Sequence, residues 1–166
     1  MIESIFPIVL VSATLLVSLV AGFLFAFAVV AMPGLKKLND GEFIRAFQEI
    51  DGIIQNNHPL FMLVWMGSVL FLIAAAILGF THMESLPRNF LLVATALYII
   101  GVQAPTIVIN VPRNNVIQTV NVDTTNATSL HQARIDFEDS WNRSNQFRTV
   151  MSITVTAILL SLVLWM

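Results

Sequence analysis

Residues 60–80 read LFMLVWMGSVLFLIAAAILGF, an apolar run without a single Asp, Glu, Lys or Arg. A helix rises about 1.5 Å per residue, so about 20 residues cross a hydrocarbon core of roughly 30 Å. This run therefore has the length of a membrane span. Three further runs share its character, over 6–32, 89–111 and 149–166, the last only just long enough. A lone run of this kind fits the buried helix of a soluble domain. Four of them in 166 residues leave too little polar surface to face water. Composition agrees: 57% of the residues are hydrophobic and 11% charged, with a mean hydropathy of +0.81, where soluble domains carry about 25% charged residues. The reading is all-α, an integral membrane four-helix bundle, as one domain over 1–166. Only Glu3 is charged ahead of the first run, which lacks a basic flank and is too long for a signal sequence. It is read as a retained membrane segment.

Other classes drop out quickly. The absence of cysteine excludes disulfide scaffolds, thiol relays and thiolate metal sites. A net charge of −2 argues against nucleic acid as a partner. Lys36, Lys37 and Arg45 lie in the first long loop, and Arg113, Arg134, Arg143 and Arg148 in or beside the second, against Arg88 alone on the other side. This bias predicts that both long loops are cytoplasmic and both termini outside. No cofactor signature is present, neither a phosphate-binding loop nor a dinucleotide fingerprint. Histidine is sparse, and only facing loops could gather His58 and His131 with Asp51 or Glu49 around a metal.

The loops carry their own patterns. Phe43, Phe47, Ile50 and Ile54, flanked by Ile44 and Ile53, follow helical spacing and predict an amphipathic interfacial helix between the first two spans, lying at the interface or folding onto the bundle. Asn39 and Asp40 are its N-cap candidates. Asp51 falls at the edge of the apolar stripe, either reaching out to water or partly buried. In the second loop a helical pattern resumes near Leu130 and runs into the last span, as a cytoplasmic extension of the fourth helix. Arg134 with Glu138, and Asp139 with Arg143, are i,i+4 pairs that read as surface support.

Polar residues at membrane depth are costly and face inward. Gln103, Thr106 and Asn110 share one helical face beside Pro105; Thr149, Ser152 and Thr156 share another, with Arg148 at its entrance. The hydroxyls read as helix-to-helix glue, while two amides on one face point equally to glue or to a polar cavity. Ser18, Gly22 and Ala26 form a small-residue face suited to close helix contact, within one chain or in a homo-oligomer.

The run Phe27-Ala28-Val29-Val30-Ala31-Met32-Pro33-Gly34-Leu35, followed by Ala46-Phe47-Gln48-Glu49-Ile50-Asp51, resembles the opening of a four-helix membrane family that includes fungal anthrone oxygenases. Asn110-Val111-Pro112-Arg113-Asn114-Asn115 and the stretch from Trp141 through Asn145 to Arg148-Thr149 agree in order and spacing. The resemblance implies a membrane oxidoreductase that inserts oxygen from O₂ at an activated ring carbon, without haem or flavin. Relatives often carry Asn where this chain has Asp51, a second Trp near Ser144, and His near Gln146. An amide cannot titrate, so Gln146 cannot serve as base, and Asp51 becomes the candidate.

Together these readings nominate Asp51 and Arg148 as catalytic residues. Gln103, Asn110, Asn114, Trp141 and Asn145 are nominated to bind a lipophilic phenolic or quinone-like substrate that reaches the site through the lipid bilayer. Trp141 reads either as an interfacial anchor or as a stacking wall. The competing reading is a non-catalytic accessory protein in which the same residues fasten the loops. Transport is weakened by the lack of an internal repeat and of a charge at the membrane midplane.

Overall fold

The computed structural model describes residues 5–165. Among them there is no strand, and five helices carry the chain: α1 (Ile5–Leu35), α2 (Asp40–Gln55), α3 (Pro59–His82), α4 (Ser85–Gln118) and α5 (Ala127–Leu164). All but α2 are long and apolar enough to cross a bilayer, so the protein is a multi-pass integral membrane protein.

Three prolines, Pro33, Pro105 and Pro112, fall beyond the first turn of these helices, and the backbone answers each in the same way. A π turn spans Phe27–Ala31, another Ile99–Gln103 and a third Thr106–Asn110, ending two residues before Pro33, Pro105 and Pro112. Proline lacks an N–H, and its ring crowds the carbonyl four residues back. The extra residue in a π turn widens the helix where that clash would fall. As a result α4 continues beyond the uncharged run that ends at residue 111, to Gln118, and α1 beyond residue 32, to Leu35.

Local chemistry sets the remaining ends. The Asn39 side chain accepts from the Glu42 N–H at 2.9 Å, and the Glu42 carboxylate accepts from the Asn39 N–H at 3.4 Å, a capping box that starts α2. Asn126 caps α5 through the Ser129 N–H at 2.9 Å. Asn57, after α2, takes φ 57°, a left-handed conformation that Asn tolerates well.

The helix α1 packs along α3 and α5, while α4 packs along α5 and, over Ser85–Tyr98, against α3. Leu10, Val17, Leu72, Tyr98 and Leu159 lie in the core these four share. A second core forms beyond it, where α2 folds over Phe27, Ile117, Phe137 and Trp141. Gln48 of α2 locks the end of α4, its amide donating to the Ile117 and Val120 carbonyls at 2.8 and 2.9 Å.

Three expectations need correction. The face that α2 buries is Phe43, Ile44, Phe47 and Asp51, whereas Ile50 and Ile53 are 36% and 59% exposed. The stripe is therefore split between protein and surroundings. On α1, Gly22 and Ala26 face outward and a Cβ on Gly22 would touch nothing; Ala13, Val17, Val20 and Ala21 make the packed face instead. Arg134 is also more than a surface partner of Glu138. It donates at 2.9 and 3.0 Å to the Leu38 and Lys36 carbonyls, reaches Asp40 at 3.1 Å, and lies 4.4 Å over the Phe43 ring, pinning the first loop to α5. Asp139 and Arg143 form no ion pair among the described residues.

Among the glycines the tightest surroundings are at Gly101, where a Cβ would stand 2.8 Å from Met151 Cγ and 3.1 Å from its Cβ. Those atoms sit near the α5 backbone and have little room to move. Gly101→Val is expected to destabilise the protein by about 1–3 kcal/mol through overpacking, read as a lower thermal midpoint in detergent. Gly22→Val should leave that midpoint unchanged.

Candidate functional site

Between the two cores lies a cavity of about 140 Å³, with walls from all five helices. Its apolar side is aromatic: Phe23 and Phe27 from α1, Phe47 from α2, Phe61 and Trp65 from α3. Its polar side is Asp51 from α2, Thr106, Asn110 and Asn114 from α4, and Asn145 and Arg148 from α5. Trp141 spans both sides. Along α5, Trp141, Asn145 and Arg148 reach the cavity by ordinary i, i+4, i+7 spacing. On α4, Thr106, Asn110 and Asn114 reach it at i, i+4 and i+8, the first two across the π turn at Thr106–Asn110.

Arg148 is 3% exposed and has no carboxylate partner among the described residues. Its terminal nitrogens donate to Thr106 Oγ1 at 2.8 Å and Asn145 Oδ1 at 3.0 Å, and its Nε is buried without a partner. The guanidinium carbon lies 5.8 Å from the centre of the Trp141 ring. A buried, uncompensated guanidinium costs several kcal/mol in desolvation. Such a cation is suited to an anion arriving in the cavity.

Asp51, 2% exposed, is held by neutral amides. Asn114 donates to Oδ1 at 2.7 Å; Gln55 and Gln118 donate to Oδ2 at 2.8 and 3.0 Å. It is thus the buried carboxylate, not the water-reaching one. Trp141 is likewise buried rather than an interfacial anchor, at 5% exposure. It lies against Phe27, Phe47 and Phe137 with ring centres 5.6–6.0 Å away, and its Nε1 donates to Asn114 Oδ1 at 2.8 Å. Asn114 therefore links the carboxylate to the indole. Asn110 accepts from Ser144 Oγ at 2.6 Å and donates to the Trp141 carbonyl at 3.3 Å. Asn145 donates to the Leu24 carbonyl at 3.1 Å, just ahead of the π turn in α1.

Six of the seven nominated residues thus meet at one cavity: Asp51, Asn110, Asn114, Trp141, Asn145 and Arg148. Gln103 does not line it. It sits deeper in α4, its Nε2 buried with no partner among the described residues. Gln146 is exposed, so that position offers nothing to the cavity in this chain. The His131 ring lies 2.9 Å from Asp40, and no three His, Asp or Glu residues gather as a metal site among the described residues. Sequence reasoning missed the aromatic wall. Its trace was the i,i+4 pairs Phe23–Phe27 and Phe61–Trp65, now in contact at 4.9 and 5.5 Å between ring centres.

A family model described as anthrone oxygenase matches residues 61–158, more than half of the chain. The matched stretch contains the α4 and α5 walls of the cavity, while Asp51 lies before it. No curated protein and no solved structure matches the chain.

The Trp141–Asn114 link is separable from the aromatic packing. Trp141→Phe keeps a ring in place but strands Asn114 Oδ1, and is expected to cost about 1–3 kcal/mol. Trp141→Ala, which also empties the stack, should cost about 3–5 kcal/mol. Chemical or thermal unfolding in detergent distinguishes the two.

Proposed function

The chain belongs to the anthrone oxygenase family, and from that premise we propose that it is a membrane-embedded oxidoreductase acting on a small lipophilic phenolic or quinone-like substrate. The observation that carries the proposal is Arg148, a buried cation with no counter-charge among the described residues and an Nε without a partner, lining an aromatic cavity. A phenolate or enolate oxygen would supply the missing charge. In that water-poor setting, donors already fixed in place stabilise developing anionic charge strongly.

Asp51 serves in this reading as the base. It takes a proton from the activated ring carbon, and the enolate that forms is held by Arg148. Dioxygen adds at that carbon to give a hydroperoxide. Loss of water, with cleavage of the O–O bond and departure of the second proton from carbon, leaves a carbonyl. One CH₂ and one O₂ thus yield one C=O and one H₂O. Asn110 and Asn145 orient Arg148 and its surroundings through their contacts with Ser144 and Leu24.

A second reading has its own support. Asn110 and Asn145 each donate to a backbone carbonyl of another helix or segment, as fasteners do, which suits an accessory protein without chemistry. Oxygen uptake by detergent-purified protein given an anthrone separates the two. Uptake above buffer is expected, falling about 10²–10³-fold in Arg148→Ala and about 10²–10⁴-fold in Asp51→Asn, in variants that keep their helical circular dichroism. Full uptake in Asp51→Asn removes that residue as base. No uptake in the parent protein, with variants that are only less stable, favours the accessory reading.

We also place both long loops on the cytoplasmic side, on the strength of the lysine and arginine bias. Because the chain has no cysteine, one introduced at Thr124 reports sidedness directly. It should react with a membrane-impermeant maleimide only after the cell is opened.

A further inference from the structure

We infer that a groove between the end of α4 and the start of α5, on the side of the two long loops, holds the headgroup of a zwitterionic phospholipid with a primary ammonium, of the phosphatidylethanolamine class. Its acyl chains run down the same two helices. The site is separate from the cavity and does not rest on the function proposed above.

The groove is open to its surroundings. It is lined by Arg113, Val116 and Val120 of α4 and by Gln132, Asp136 and Phe137 of α5, none of which lines the cavity. Two opposite charges therefore face one groove without meeting. Among the described residues Arg113 enters no ion pair, and its Nε is buried without a partner. Asp136 has no cation beside it there either; its Oδ1 accepts from the neutral amide of Gln132 at 2.8 Å. A ligand that carries both charges, in the reverse order, satisfies the two at once.

The order of these groups across the membrane selects the ligand. Hydrogen bonds from Ser144 to Asn110 and from Trp141 to Asn114 fix the relative heights of the two helices, and put Arg113 and Arg143 at about one level. Arg143 is exposed and likewise unpaired among the described residues. It follows Asp136 by seven residues, nearly two full turns, and so stands on the same face of α5 about 10 Å farther along. Side chains on a helix lean toward its N-terminus, which for Arg143 is toward the groove. Past that level the outward residues are apolar: Val108 on α4, and Phe147 and Val150 on α5. Such faces belong against hydrocarbon. From water to lipid the surface thus reads carboxylate, guanidinium, hydrocarbon. A phospholipid with an ammonium headgroup reads ammonium, phosphate, acyl chain in the same direction. Guanidinium forks match phosphate oxygens, and an ammonium donates charge-assisted N–H bonds to a carboxylate. Choline has no N–H to offer Asp136. A second exposed carboxylate, Asp139, lies between Asp136 and Arg143 along α5 and disfavours a headgroup of net negative charge.

The test is native mass spectrometry of the full chain, stripped of lipid in detergent and titrated separately with dioleoyl phosphatidylethanolamine, phosphatidylcholine and phosphatidylglycerol. The parent chain should bind the ethanolamine lipid about fivefold more tightly than either of the others, the scale of one partly exposed ion pair. Arg113→Gln should weaken all three lipids about fivefold by the same reasoning. Asp136→Asn should erase the preference over the choline lipid, and Asp136→Arg should turn the preference to the glycerol lipid. No saturable binding, equal affinity for the three lipids, tightest binding of the choline or glycerol lipid by the parent, or an unchanged preference in Asp136→Asn overturns the inference. Asp136 is exposed, so its replacement leaves the packing untouched, and the three-lipid comparison on the parent chain decides even where Arg113→Gln does not fold.

Discussion

A guanidinium buried in a membrane protein must be paired, hydrated or held by dipoles, and the arrangement around Arg148 uses the third solution. Thr106 from α4 and Asn145 from its own helix take two of its donors. Asn145 in turn grips the Leu24 carbonyl of α1. One cation and one amide thus tie three of the four long helices at the level of the cavity. The remaining polar groups continue this layer: Ser144 and Asn110, Asn110 and the Trp141 backbone, the Trp141 indole and Asn114, Asn114 and Asp51. Arg148 and Asp51 both line the cavity, each stabilised by neutral groups rather than by the other. That leaves room between them for a polarisable guest.

The apolar residues on either side do different work. The core shared by α1, α3, α4 and α5 is mostly aliphatic, with Phe6 and Tyr98 buried in it and Gly101 close against Met151. The core under α2 is aromatic, built from Phe43, Phe47, Phe137 and Trp141 in edge and stacked contacts. Rings pack with preferred angles and leave gaps that branched aliphatic chains would fill. The cavity lies where the two kinds of packing meet. Arg134 then closes the outer side by holding the loop before α2 against α5.

The four long helices were legible because length and the absence of charge decide a membrane span, and neither depends on partners. Six residues of the site were legible for a related reason: polar groups in costly places have few structural alternatives. What the sequence concealed was phase. Ile50 and Ile53 fit the amphipathic stripe of α2 as well as Phe43 and Phe47 do, and only the packing partners separate the buried pair from the exposed one. Gln103 shares a face with Asn110 on an ideal helix, but two π turns lie along that stretch and the ideal wheel does not apply. Pro105 and Pro112 announced a disturbance without stating its direction. Gly22 and Ala26 permit close approach, but within the chain they face outward, and it is Gly101 that packs closely against a neighbouring helix, at Met151.

The π turns also act as gears. Each amounts to one residue too many for an α-helix, and so to a shift of about 100° in the phase of everything that follows. Between Tyr98 and Gln118 the chain is geared twice in this way. Were one of these turns to relax to ordinary helix with every residue retained, Asn114 and Gln118 would swing off Asp51 and the Gln48 clasp would be stranded, although every side chain survived. Losing one residue within the same turn would do no such thing, since the helix beyond would keep its phase.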